Sequence, residues 1–334
     1  MKAHLHFRFS LLIGLILMMV ASTYEVKAGG ADRTWSGGGA DNNWTTALNW
    51  NTVPVAGDGV IFAGTTRLTP NNNFAANTAF RLITFSGTGA FVLGGNAINL
   101  TGNVTNNAAA LQTINMAMAM TNNRTFNAAS GNIKVGGIIS GAFTLTKTGT
   151  SDLELAGANS YSAGTTITAG TLTLGAAGVL ADAGAITMNG GTLRTGATTG
   201  FSETVGTLGM TASSTITLGT GSHILRFAAS SGVSWTAATT LTINGWTGDF
   251  GTGVATGGQI FVGSTFGGLL SGQLGQITFF DGSTNFPATI TSSGEVVPVS
   301  CLPGTWTGTT STDWHVATNW CDGSVPISST NVII

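Results

Sequence analysis

The sequence predicts an all-β fold organised as a parallel β-solenoid. Three observations carry that reading. Short runs alternate apolar and polar residues, as in Thr171-Leu172-Thr173-Leu174 and Ala185-Ile186-Thr187-Met188, which is strand periodicity. Gly, Asn and Ser cut these runs at short intervals, where tight corners need positive φ. The pattern also repeats itself: Ile-Thr, then Gly, then Thr-Leu occurs at Ile167 to Leu172 and returns at Ile186 to Leu193. One coil of roughly 20 residues fits the usual length of a solenoid repeat.

The elements are taken in chain order. Lys2 and Arg8 precede an apolar run from Leu11 to Val20, and Val26-Lys27-Ala28 forms an A-x-A-like cleavage site. Residues 1–28 are therefore read as a secretory signal peptide, cleaved after Ala28 or near Ala21 or Ser22. The run is too short for a membrane span, which takes about 20 apolar residues. No cysteine follows it, so a lipid anchor is not indicated. The mature chain is expected to lack a transmembrane span and to be secreted, or held at the cell surface or outer membrane of a bacterium.

Residues 29–79 read as a Trp-rich N-terminal cap with the first strands. Thr34-Trp35-Ser36-Gly37, Trp44, Asn49-Trp50, Val53-Pro54 and Val60-Ile61 follow in order. Near the C-terminus Thr305-Trp306-Thr307-Gly308, Trp314, Asn319-Trp320, Val325-Pro326 and Val332-Ile333 repeat the series. The Trp44–Trp50 and Trp314–Trp320 spacings are equal, so residues 301–334 are a second Trp-rich module. It stops at Ile334, just after the apolar pair that begins a strand, which suggests a longer parent protein.

Residues 80–242 are read as the β-helix and 243–300 as a C-terminal β region. Ala108 to Met120 comes nearest to a helix. Its Met116, Met118 and Met120 alternate with Ala117 and Ala119, so it is assigned as a strand with a methionine stack.

Residues 146–175, TKTGTSDLELAGANSYSAGTTITAGTLTLG, carry the most specific signal. A G-x-x-x-L-x-L-x-G opening is followed by Ala158-Asn159-Ser160-Tyr161-Ser162, Gly164-Thr165-Thr166-Ile167 and Ala169-Gly170-Thr171-Leu172. This unit resembles the autotransporter-associated β-strand repeat. The resemblance implies a right-handed parallel β-helix, of the pectin lyase-like kind found in autotransporter passengers and other large exported bacterial proteins. The Trp modules look like repeats that sit beside such solenoids in bacterial surface proteins. No membrane β-barrel translocator stands before Ile334, and the resemblance supplies no catalytic motif.

Composition narrows the function classes. Charged residues make up 7 % of the chain, against about 25 % in ordinary globular proteins. The hydrophobic fraction of 42 % opposes disorder. A net charge of −2 provides no basic field for nucleic acid and no polybasic patch for anionic lipid. Cys301 and Cys321 are the two cysteines; they form a disulfide or stay as separate thiols. No second Cys/His pair at ligand spacing supports a metal, and no cofactor is expected.

Candidate chemistry is sparse. Residues 59–151 contain no Asp or Glu. Asp152 and Glu154 share one strand face, the placement that glycoside hydrolysis by paired carboxylates requires, but they also fit two solvated outward positions. His223 alternates on a strand and His315 follows Trp314; neither adjoins a nucleophile motif. Gly37-Gly38-Gly39 and Gly87-Thr88-Gly89 lack the helix that a phosphate-binding loop precedes. Trp35, Trp44, Trp50, Trp306, Trp314 and Trp320 are the candidates for stacking on sugars, with packing of the module core as the plainer role.

The leading expectation is a non-enzymatic structural or adhesive surface repeat protein that meets surface glycans or a host or neighbouring cell surface. A carbohydrate-binding module of a larger surface protein stands second. A β-helix polysaccharide lyase or hydrolase stands third.

Overall fold

The computed structural model describes residues 30–250, 252–299, 304–306, 308, 310–320, 324–330, 332 and 334. The expected signal peptide at 1–28 and the Cys301/Cys321 pair lie outside the described residues. The described chain is nearly all β and forms a β-solenoid.

The solenoid stacks three faces of parallel strands. The first face runs Asp32–Trp35, Gly59–Phe62, Leu82–Phe85, Val104–Asn106, Arg124–Ala128, Leu145–Thr148, Thr165–Ile167, Ile186–Asn189 and Glu203–Ala212. It continues through His223–Ala228 to Gly258–Val262. The second runs from Asn71–Asn72 through Val92–Gly95, Gln112–Ile114, Ile133–Val135, Asp152–Leu155, Thr171–Leu174, Thr192–Arg194, Ser214–Thr217 and Leu241–Asn244 to Ile277–Phe280. The third is shorter: Thr78–Phe80, Ile98–Leu100, Met118–Met120 and Ile139–Ser140. The parallel ladder thus begins before residue 80 and passes residue 242, beyond both expected limits of the β-helix.

Strand alternation sets the core. On the second face Ile133, Leu153, Leu172, Leu193, Ile216 and Ile243 stand in one column, each buried at 0–1 % exposure. Full burial of each such side chain is worth about 1.5–3 kcal/mol. On the first face the column reads Val60, Ile83, Val104, Phe126, Lys147, Ile167, Met188 and Met210. Met116, Met118 and Met120 are buried, but they do not stack on one another. Met118 lies between Ile98 and Ile139, and Met120 pairs with Leu100.

Corners repeat as well as strands. Gly149 and Gly170 hold the same corner in successive coils, with φ of 76° and 61°. A Cβ on Gly170 would lie 2.4 Å from the Gly149 carbonyl oxygen, so this corner needs glycine both for its φ and for the spacing of the coils. Buried amides brace other corners. Asn106 Nδ2 donates to the carbonyls of Ala110 and Asn132, and Gln112 Nε2 donates to that of Gly89.

Both ends of the stack are closed. At the N-terminal end Trp35, Trp44 and Trp50 pack edge to face and cover Phe62, with Trp44 also 5.3 Å from Phe80. At the C-terminal end the chain turns antiparallel. Asn285–Ile290 pairs with Ile277–Phe280, and Glu295–Pro298 pairs with both Asn285–Ile290 and Gly258–Val262. Trp246, Phe250, Phe279 and Phe286 fill the space beneath. Among the described residues these caps cover the apolar core at both ends of the solenoid.

Candidate functional site

The outer side of the second face carries the expected carboxylate pair. Asp152 and Glu154 do share that face, and both are engaged across coils rather than simply solvated. Lys134, Glu154, Thr173 and Arg194 occupy one register column. Lys134 Nζ lies 2.8 Å from Glu154 Oε1. Thr173 Oγ1 lies 2.9 Å from both oxygens of the Asp152 carboxylate, to which it donates, and Arg194 lies 3.8 Å from Asp152 Oδ2. Burial raises the Asp152 pKa, while the Thr173 hydroxyl and the Arg194 charge oppose the rise. Thr173, outward by parity, is only 1 % exposed because these neighbours close over it. The arrangement ties adjacent coils together through charge and hydrogen bonds.

His223 is buried on the first face. If its Nδ1 donates to the Gly221 carbonyl at 2.9 Å, Nε2 accepts from Thr195 Oγ1 at 2.8 Å. Gly200 and Gly258 flank the ring; a Cβ at either would lie 2.1 or 2.5 Å from its Cε1. The imidazole is thus held between glycines of neighbouring coils. His315 stands exposed beside Asp313, at 3.2 Å. No group of three or more His, Cys, Asp or Glu that could hold a metal occurs among the described residues.

Lys147 and Glu203 are buried ionisable residues not singled out from the sequence, as is Asp58, which is 2 % exposed and paired with Arg33. Lys147 is 0 % exposed and its Nζ donates to the carbonyls of Thr148, Gly149 and Ala169. Burial draws its pKa down to about 8, with the Asp152 charge opposing. Glu203 is 3 % exposed; its Oε2 accepts from the Val179 and Leu180 amides. Burial raises its pKa to about 7 against those amides. Parity offered the signal for both: Lys147 follows Leu145 by two residues, and Glu203 precedes Val205 by two, each on the inward side.

Glu203 belongs to a longer arrangement. Where the third face ceases to be regular strand, Asn159 Oδ1 accepts from the Ile139 amide and Asn159 Nδ2 donates to the Val179 carbonyl. The Val179 amide then donates to Glu203. Side-chain groups thereby replace the strand ladder over successive coils.

Among the Trp candidates, burial separates the two modules. Trp35 and Trp44 are 0 % and Trp50 5 % exposed, so no indole face in the first module is open to a sugar. In the second, Trp320 is 2 % exposed and Trp306 half-buried, while Trp314 is 47 % exposed. A separate open groove of about 670 Å³ lies between residues 231–238 and 270–276. Half-buried Trp235 and exposed Leu270 form its apolar part, with Ser231, Ser234 and Ser271 nearby. Trp235 lies outside both modules and was not singled out from the sequence. Its Nε1 donates to the Leu208 carbonyl, which fixes the ring.

Residues 145–174 match the family model of the passenger-associated-transport-repeat. The matched span covers Leu145–Thr148, Asp152–Leu155, Thr165–Ile167 and Thr171–Leu174, which are successive rungs of the solenoid. Over these residues the chain is similar to an autotransporter passenger repeat, and the stacked parallel strands on either side fit a passenger-like β-helix. The repeat stands one residue from the 146–175 unit identified by its motifs. A passenger-like repeat within a stacked solenoid fits a surface repeat protein. No curated protein and no solved structure matches the chain. No helix among the described residues is long and apolar enough to cross a membrane.

Proposed function

We propose that this passenger-like protein is a non-enzymatic structural or adhesive element of the bacterial surface, exported by way of its N-terminal segment. The observation that carries the reading is the use made of its polar groups. Asp152, Glu154, Lys147, Glu203 and His223 each brace one coil or loop against another. Their shared work is to hold a neutral, regular stack together. With parallel strands about 4.8 Å apart, the stack of first-face strands from Asp32–Trp35 to Gly258–Val262 is on the order of 50 Å long.

The reading is tested with the mature chain coated on beads. Attachment to cell surfaces or immobilised glycans is scored alongside turnover of pectin-type and other polysaccharides. Attachment or inert display without turnover supports the proposal. Polysaccharide cleavage that is lost in Asp152→Asn overturns it in favour of a β-helix lyase or hydrolase.

A carbohydrate-binding role is the second reading, favoured by the groove beside Trp235. Its uncharged lining suits a neutral glycan, for which an aromatic face and hydroxyl groups supply stacking and hydrogen bonds. Loss of glycan-array signal in Trp235→Ala, with unchanged melting, supports this reading; an array blank with the parent chain removes it.

A further inference from the structure

Cations in this chain are nearly all engaged by the protein itself. Among the described residues Arg33, Arg81, Lys134 and Arg194 meet carboxylates. Arg67, Arg124 and Lys147 donate to backbone carbonyls. Arg226 is the exception: it forms neither an ion pair nor a hydrogen bond among the described residues. Its guanidinium carbon instead lies 4.3 Å from the centroid of the Phe261 ring.

The strand register explains this isolation. Leu225 and Phe227 are buried on the inward side of His223–Ala228, so Arg226 faces outward, between Thr204 and Phe261. Beyond Phe261 the next partner is Glu295, but Gln259 Nε2 donates to that carboxylate at 2.8 Å. The ring beneath Arg226 fixes the guanidinium plane and accepts none of its N–H groups in a conventional hydrogen bond. Beside it lies an open groove of about 450 Å³, lined by Asp182, Thr204, Arg226, Ser264 and Thr265. Asp182 is exposed and makes no ion pair with Arg226. Phe266 stands on the same loop as Thr265 and is 70 % exposed.

We propose that this groove binds an acidic sugar residue of a polysaccharide, with the sugar carboxylate on Arg226. A guanidinium held flat on an aromatic ring presents the fork that matches a carboxylate. Asp182, Thr204, Ser264 and Thr265 supply partners for the sugar hydroxyls, and Phe266 supplies an apolar face. Asp182 also sets the charge of the ligand. It accepts hydroxyl protons but repels a second negative charge, so a hydroxylated monoanion fits where a phosphate dianion does not. The site is distinct from the groove at Trp235, whose lining is uncharged.

The test titrates the mature chain, by calorimetry at low salt, with a β-1,4-linked glucuronate tetramer and with the glucose tetramer of the same linkage. The two differ only in the carboxylate. The glucuronate tetramer binds the parent chain, and the glucose tetramer binds at least about tenfold more weakly. Arg226→Gln loses that preference with unchanged melting, and Arg226→Lys, which keeps the charge without the fork, recovers part of it. Trp235→Ala leaves glucuronate binding as it was, so the two grooves are read separately. No binding of the glucuronate tetramer by the parent, equal binding of both tetramers, or a preference that survives Arg226→Gln overturns the proposal. Displacement of the tetramer by an equal concentration of inorganic phosphate overturns the assignment to a sugar carboxylate.

Discussion

Glu203 Oε2 accepts the Val179 amide at 2.8 Å from a position that is 3 % exposed, and so fixes the loop before Ile186 to the next coil. Burial lifts the carboxyl pKa from 4.5 to about 7. The folded chain therefore holds a proton that the unfolded chain has released between these values. The contribution of this group to stability is greatest below pH 4.5 and is lost as pH rises toward 7. Urea melts should show a decline on the order of 3 kcal/mol across that window, the anion's bonds to the two amides being already contained in the value of about 7. Glu203→Gln should flatten the decline. An unchanged slope in that variant would place the titration elsewhere.

Lys147 titrates with the opposite consequence. Its folded pKa of about 8 lies below the ordinary value of 10.5, so the folded form sheds a proton first. Stability from this group should rise as pH increases from 8 to 10.5. Lys147→Met should abolish that rise. It should also cost about 1–3 kcal/mol at pH 7 by taking the donor from three carbonyls. Chemical denaturation at pH 7 and pH 10 reads both effects.

The core column of the second face permits a contrast between neighbours in one strand. Leu172 lies between Leu153 and Leu193 at 0 % exposure, whereas Thr171 points outward between Asp152 and Thr192. Leu172→Ala should cost about 2–5 kcal/mol and Leu172→Asp more. Thr171→Ser should stay within about 0.5 kcal/mol. Hydrogen exchange should show the Leu172→Asp loss centred on coils 145–194; equal effects at the two positions would refute the inward and outward assignments.

His223 offers a test by compensation. Gly258→Ala places a methyl against the imidazole and should destabilise the chain by more than about 2 kcal/mol. Combining it with His223→Ala should cost less than the sum of the two single changes, since the ring that clashes is gone. Strict additivity in melts of the four proteins would mean that ring and glycine do not meet.

Much of this architecture could be read from residue order. Alternation identified the inward positions Leu153, Leu155, Leu172 and Leu193, and spacing identified the kinship of the two Trp modules. The limits of the β-helix were less legible, because Asp32–Trp35 and Ile277–Phe280 lie within loop-rich sequence and join the ladder only through partners one coil away. The antiparallel cap was hidden for a similar reason: Phe286-Pro287 lacks a strand pattern, and Pro suits an edge position. Lys147 and Glu203 show only as charged residues in step with the inward Leu145 and Val205, a parity that charge masks. The groove at Trp235 arises from segments about 40 residues apart and has no local signature.

The antiparallel strands Asn285–Ile290 and Glu295–Pro298 determine how such a molecule can change in length. Among the described residues, the first coil lies under indoles and the last under reversed strands. Growth by insertion would leave both covers in place. A duplicated unit of about 20 residues placed between two interior coils meets on each side the same kind of neighbour as before. Each insertion would lengthen the solenoid by about 4.8 Å and leave both termini as they were. Reach and end chemistry are thus separately heritable, so one can be selected without disturbing the other.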